Sequence, residues 1–153
     1  MQKKKLLCFS LIALNLAFIW GNSLMDGAHS AALSHWVQSL LSGIFPDVIP
    51  ETGAQGHGLL RKLAHFSEFF ALGGLLFWLS GMYPVSRWAR IYVPICVGAL
   101  CAGVDEIIQI FVPERGPALL DVGIDTLGVT LSVVLLSLIS FLKNKKYMEE
   151  TKQ

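Results

Sequence analysis

The feature that most constrains this chain is a set of four apolar runs, at about residues 6–24, 61–82, 89–111 and 118–142. A helix rises 1.5 Å per residue, so roughly 20 residues cross the hydrocarbon core of a bilayer. Hydrocarbon offers no water to backbone amides and carbonyls, so runs of this length and continuity are expected to be helices that satisfy their own backbones. The later three read RKLAHFSEFFALGGLLFWLSGM, ARIYVPICVGALCAGVDEIIQIF and ALLDVGIDTLGVTLSVVLLSLISFL. Pro94 falls near the start of the third, where neighbouring helices can accommodate it. Composition agrees: 15% of the residues are charged, where a soluble domain carries about 25%. The expected fold is all-α and integral to the membrane, one domain over residues 1–153 with four transmembrane helices.

Between the first two runs the pattern changes. Leu33, Trp36, Val37, Leu40, Leu41, Ile44 and Phe45 recur at helical spacing, while Ser34, His35, Gln38, Ser39 and Ser42 take the other face. That describes an amphipathic helix over about 28–45, too short to span and suited to the membrane surface. Asp26 is a candidate N-cap, and Pro46, Pro50, Gly53, Gly56 and Gly58 predict a loop leading into the second span.

The N-terminal run follows Lys3, Lys4 and Lys5, as a signal peptide would. It is long for the apolar part of such a peptide and no A-x-A site follows, so an uncleaved helix is expected. Cys8, Cys96 and Cys101 all lie in apolar runs, with no metal-binding spacing, and are read as packing residues. A net charge of +1 gives no electrostatic case for nucleic acid as a partner.

Orientation follows from Lys and Arg, which accumulate on the cytoplasmic side. With the N-terminus inside, nine of the twelve are cytoplasmic: Lys3, Lys4, Lys5, Arg87, Arg90, Lys143, Lys145, Lys146 and Lys152. Arg61, Lys62 and Arg115 are left outside. Both termini are therefore expected in the cytoplasm, the chain crossing the membrane four times.

The same alternation of direction predicts where the intramembrane charges meet. Arg61, Lys62, His65 and Glu68 occupy the first turns of the second span, Asp105, Glu106 and Gln109 the last turns of the third, and Asp121 and Asp125 the first turns of the fourth. Glu114 and Arg115, in the connection FVPERGPA, lie at the same level. Arg61, His65 and Glu68 form one helical stripe; Asp105 shares a face with Gln109, and Asp121 with Asp125. An acid at mid-membrane costs about 2.5–3.5 kcal/mol on insertion scales, against roughly 0.3–0.6 returned by a Leu or Ile. These groups must therefore face the bundle interior, lie near the interface, or pair. Six acids stand against three fixed cations and His65, a surplus that a neutralising clasp does not need. A site is the preferred reading.

The residue types allow several chemistries. Carboxylates could hold a divalent cation, Arg61 and Arg115 could grip a phosphate, and His65 or a carboxylic acid could act as general acid or base. Such a site would suit an anionic lipid headgroup or lipid-linked phosphate. The same types also suit proton- or ion-coupled movement of a solute by an oligomer. For that, Gly98 with Ala102, and Ala99 with Gly103, offer small-xxx-small packing faces. A non-catalytic membrane partner of an envelope enzyme is a third reading.

The motifs RKLAHFSEFFALG and DEIIQIFVPERGPALLDVGIDTLG resemble the signature of the VanZ-like membrane proteins. That signature runs R-K-x-x-H-F-x-E-[YF], D-E-x-x-Q-x-F-x-P-x-R and D-x-x-x-[ND]-x-x-G. It lands on Arg61, Lys62, His65, Phe66, Glu68 and Phe69, then on Asp105, Glu106, Gln109, Phe111, Pro113 and Arg115, and ends on Asp121, Asp125 and Gly128. The resemblance covers about residues 60–130, with a looser match in the first span and around Ser30 and Ser34. Glu114 stands where many members have Gly, Asp125 where many have Asn, and Ser132 where a second Gly is often found. The resemblance implies a role in the bacterial cell envelope, since the founding member is associated with low-level resistance to teicoplanin, a glycopeptide that acts on the cell wall. The candidate site is thus His65, Glu68, Asp105 and Glu106 as catalytic residues. Arg61, Lys62, Gln109, Arg115, Asp121 and Asp125 would bind the ligand, an anionic lipid or a glycopeptide-like molecule.

Overall fold

Each apolar run is helical over all but one or two of its residues, because a hydrocarbon-facing backbone has no partner but itself. The computed structural model describes residues 2–25, 36, 37, 39, 54–113 and 118–150, with side chains omitted at 54–60 and 146. Its helices are α1 (Gln2–Ser23), α2 (Ala54–Ser80), α3 (Ala89–Ile110) and α4 (Leu119–Glu150). All four contain a stretch long and apolar enough to cross a membrane. Only 22–28% of each such stretch is buried within the bundle. The remaining surface is Leu, Ile, Val and Phe, including Leu14, Phe18, Leu100 and Leu138, which a water-soluble bundle of this size would not expose. The chain is a multi-pass membrane protein.

Three helices exceed their apolar runs. α1 begins at Gln2 and includes Lys3, Lys4 and Lys5, and α4 continues to Glu150, where Lys145 Nζ lies 3.9 Å from Glu149 Oε1 one turn on. The loop expected around Gly56 and Gly58 is corrected by the structure: both lie in α2, which starts at Ala54. A glycine costs a helix only about 1 kcal/mol, and the hydrogen-bonded turns after Leu59 extend backward through both. The amphipathic helix expected over 28–45 lies outside the described residues except at Trp36, Val37 and Ser39, which are helical.

α2 is the hub, packing most extensively on α4 and also on α1 and α3. Glycines make the approach to α4 close. A Cβ on Gly128 would meet Phe66 O at 2.6 Å, and one on Gly73 would meet Val129 O at 2.7 Å. Ser132 is buried beside Gly73 and Gly74, so its small side chain fits the same seam. Gly98 receives Val129, whose methyl carbons would lie 2.6 Å from an added Cβ, and Ala102 is buried with it. That small-residue face is therefore used inside the bundle, whereas Gly103 has nothing within 4 Å. Around this seam Ile19, Phe69, Leu72, Phe77, Ala102, Val129 and Val133 form the buried core.

Pro94 sits inside α3, where its ring removes the amide that would bond Arg90 O. The Ser80 hydroxyl lies 3.3 Å from that carbonyl and 2.8 Å from Phe77 O, within donating distance of either. Cys8 is buried, its thiol 3.5 Å from Leu75 O; the cysteines are free thiols.

Candidate functional site

Up-and-down connectivity puts the C-terminal ends of α1 and α3 beside the N-terminal ends of α2 and α4. There the polar side chains meet. The stripe of α2 carrying Arg61, Lys62, His65 and Glu68 turns inward, all four half-buried. Asp105, Glu106 and Gln109 of α3 and Asp125 of α4 are buried outright, Asp105 to 1% exposure and Asp125 to 2%.

The deepest layer is a His–Asp–Asp cluster. His65 Nδ1 lies 3.7 Å from Asp105 Oδ2 and 3.9 Å from Asp125 Oδ2. The imidazole and one oxygen from each carboxylate fall within 4.8 Å of one another, a grouping able to hold a metal ion. Gln109 fixes the Asp105 side: its amide donates to Asp105 Oδ2 at 2.7 Å and to Ser23 Oγ at 3.2 Å. Asp105 Oδ1 and Asp125 Oδ1 are buried without hydrogen-bond partners. A buried polar atom left so costs about 1–3 kcal/mol, and two at one place in a bundle this small are an expense that packing alone does not require.

Above this layer lies a cationic rim. Arg61 Nη2 is 3.8 Å from Asp121 Oδ2, and Lys62 Nζ is 3.9 Å from Asp121 Oδ1, with more than a third of each basic side chain exposed. Those distances are too long for hydrogen bonds, so one carboxylate holds two cations loosely. Between rim and cluster is a cavity of about 10 Å³ lined by Arg61, Lys62, His65, Asp121, Ile124 and Asp125.

Two of the expected site residues do other work. Glu68 faces α1, where Asn22 Nδ2 donates to its Oε1 at 2.9 Å, and its Oε2 is buried without a hydrogen-bond partner. Glu106 accepts the backbone amide of Ala118 just before α4. One residue further along α3 than Asp105, it is rotated about 100° around the helix. It ties the end of α3 to the start of α4 and does not join the His65 cluster. Arg115 and Glu114 lie outside the described residues. Asn22 and Ser23, not singled out by sequence reasoning, join the polar network from α1. Their one signal is position: consecutive polar residues in the last turn of an apolar helix, at the depth where the charges of the other three collect.

The fold and this layered polar end define a polytopic membrane protein with ionisable groups drawn into one end of a four-helix bundle. The chain belongs to the VanZ/LLP1 family, which it matches over residues 6–140. The match takes in all four spans, α1 included. No curated protein and no solved structure matches the chain.

Proposed function

We propose that this polar end faces the outside of a bacterial inner membrane and binds the phosphate of an anionic lipid headgroup or lipid-linked envelope precursor. The outward orientation is supported by charge. Nine of the twelve Lys and Arg residues belong to the opposite end and its connections, with both termini, as the positive-inside rule requires of a cytoplasmic face. The observation that carries the reading is the rim. Arg61 and Lys62 are adjacent, partly exposed, and shared by one carboxylate at 3.8 and 3.9 Å. A headgroup phosphate can replace that loose pairing with direct charge-assisted hydrogen bonds, bidentate from the Arg61 guanidinium. Lys62 adds a point charge. The exposed apolar flanks of α3 and α4, including Ile107, Ile110, Leu119 and Leu120, offer the acyl chains a surface beside the rim.

In a cell, ligand capture at this level would act on the envelope. The resistance to teicoplanin-type glycopeptides associated with the founding member is the phenotype to look for. The direct test is native mass spectrometry of the full chain released from vesicles of phosphatidylglycerol and phosphatidylethanolamine. Wild type is expected to retain the anionic lipid, and a double Arg61→Gln, Lys62→Gln variant to lose it while still carrying zwitterionic lipid. Equal retention of both lipids by wild type, or unchanged retention by the variant, would overturn the reading.

A further inference from the structure

The acids beneath the rim pose a problem for an anion site. Among the described residues Glu68, Asp105, Glu106, Asp121 and Asp125 gather at this end with Arg61, Lys62 and His65. Glu106 is occupied by a backbone amide, Glu68 by Asn22 and Asp121 by the two rim cations. Asp125 has no such partner and Asp105 has only Gln109 at one oxygen, and His65 Nδ1 lies 3.9 and 3.7 Å from them.

We propose that His65, Asp105 and Asp125 form a binding site for one divalent cation of the zinc class, seated under the rim. Four observations converge. The first is the donor set: one imidazole and two carboxylates from three different helices, with ligand atoms within 4.8 Å of one another. Zinc lies about 2.0–2.2 Å from nitrogen and oxygen ligands, which places tetrahedral neighbours about 3.4 Å apart. The His65 Nδ1 separations of 3.7 and 3.9 Å, in a group whose ligand atoms all lie within 4.8 Å, reach that spacing by an inward movement of up to about 1.4 Å. The second is that Asp105 Oδ1 and Asp125 Oδ1, on side chains at least nine-tenths buried, have no hydrogen-bond partner. Those orphaned oxygens mark two carboxylates whose charge the protein does not fully meet, and a cation held at their Oδ2 atoms would neutralise it.

The third is the support behind the ligands. Asp105 Oδ2 accepts from Gln109, which is held in turn by Ser23. An outer shell of this kind orients a metal-binding carboxylate, and its loss typically costs 10–100-fold in affinity. The fourth is the cavity. At about 10 Å³, it has room for a single water-sized particle and none for a larger solute, and it touches His65 and Asp125 on one side and Arg61 and Lys62 on the other. Three protein ligands leave one coordination position open, as in catalytic zinc sites, and the cavity lies on the rim side. An imidazole ligand selects zinc-like ions over magnesium and calcium, which take oxygen donors.

The consequence for ligand binding rests on the lipid reading above. A phosphate oxygen entering between Arg61 and Lys62 would meet the cation at its open position. The acid surplus would then be neutralised from below and the anion held from both sides. The cation site itself does not depend on that reading.

The test uses the full chain in detergent, stripped with a chelator and titrated with Co²⁺ alone in the absence of lipid. The expected result is one Co²⁺ per chain with the visible absorption of a low-symmetry, four-coordinate nitrogen–oxygen site, displaced by Zn²⁺ and not by equal Mg²⁺ or Ca²⁺. Asp105→Asn and Asp125→Asn should weaken binding by more than 100-fold, and Gln109→Leu by about 10-fold. Variants are to be scored only where helix content and gel-filtration profile match wild type; the wild-type spectrum decides the matter alone if none qualifies. No stoichiometric uptake by wild type, a purely octahedral aquo spectrum, or equal competition by Mg²⁺ would overturn the proposal. The double Arg61→Gln, Lys62→Gln variant should keep its Co²⁺. Loss of lipid with Co²⁺ binding retained, or the converse, separates a failure of one reading from a failure of the other.

Discussion

At the end of the bundle that carries both termini, basic side chains rest on aromatic faces. Lys5 Nζ lies 3.8 Å from the Tyr83 ring centroid, Arg90 4.8 Å from Phe77 and Arg87 5.0 Å from Phe141. At the other end, acids are pulled between helices, stripped of most solvent and held by side chains from neighbouring spans. The first arrangement lets long cationic side chains leave the hydrocarbon and reach the interface, at little energetic cost. The second costs several kcal/mol for each charge removed from water before pairing returns any of it. A membrane bundle can be held together by its small-residue seams and apolar packing. The terminal end thus meets the needs of a membrane boundary, while the polar end carries a cost that packing does not explain and that the proposed ligand would offset.

The two ends should differ most in their tolerance of substitution at glycine. Gly128→Ala puts a methyl against Phe66 O and Phe70 N, both backbone. It should destabilise the bundle by about 2–3 kcal/mol, in the usual range for overpacking, and separate His65 from Asp125. Gly81→Ala at the terminal end meets only the Arg90 guanidinium, a movable group, and should cost less than about 1 kcal/mol. Thermal unfolding in a single detergent compares the two, and equal losses would remove the difference between the ends.

A smaller effect is expected from Gln109→Leu, which strips Asp105 Oδ2 and Ser23 Oγ of a shared donor. The loss should be about 1–2 kcal/mol, near the upper end for hydrogen bonds between transmembrane helices. Asn22→Leu, which leaves Glu68 Oε1 without its 2.9 Å donor, should cost about 1 kcal/mol. A double-mutant cycle of the two reports whether α1 serves one network or two. Least of all, Lys145→Ala should change stability by no more than about 0.5 kcal/mol, the size of an exposed i,i+4 pair. A loss above 1 kcal/mol there would mean that the C-terminal extension of α4 packs against something.

Much of this architecture is legible in the amino-acid order. Hydropathy and length mark the four helices, and alternation of direction then fixes which ends meet. That step brings residues 61–68, 105–109 and 121–125 to one depth before any coordinate is known. Partner choice is not legible in the same way. Whether Asp121 or Asp125 faces Arg61 depends on helix rotation and on how closely α2 and α4 approach, which Gly128 and Gly73 decide. Asp105 and Glu106 read as a pair in sequence, yet the helical turn sends them to different tasks. Asn22 and Ser23 escape notice because two uncharged polar residues at the end of an apolar run carry little signal beyond their position. Gly56 and Gly58 read as a loop by local preference, which the continuous helix after them overrides.

On the proposed reading His65, Asp105 and Asp125 are assembled for a ligand and are not a clasp. The most direct measurement is the thermal unfolding of Asp125→Asn against wild type, in detergent with a chelator present. Asn keeps the shape and removes one of two carboxylates facing the same imidazole, so a site assembled under tension should unfold at the same temperature or a higher one. A fall of several degrees, with the fold otherwise intact, would mean that the Asp125 carboxylate holds the bundle together, and would contradict the account.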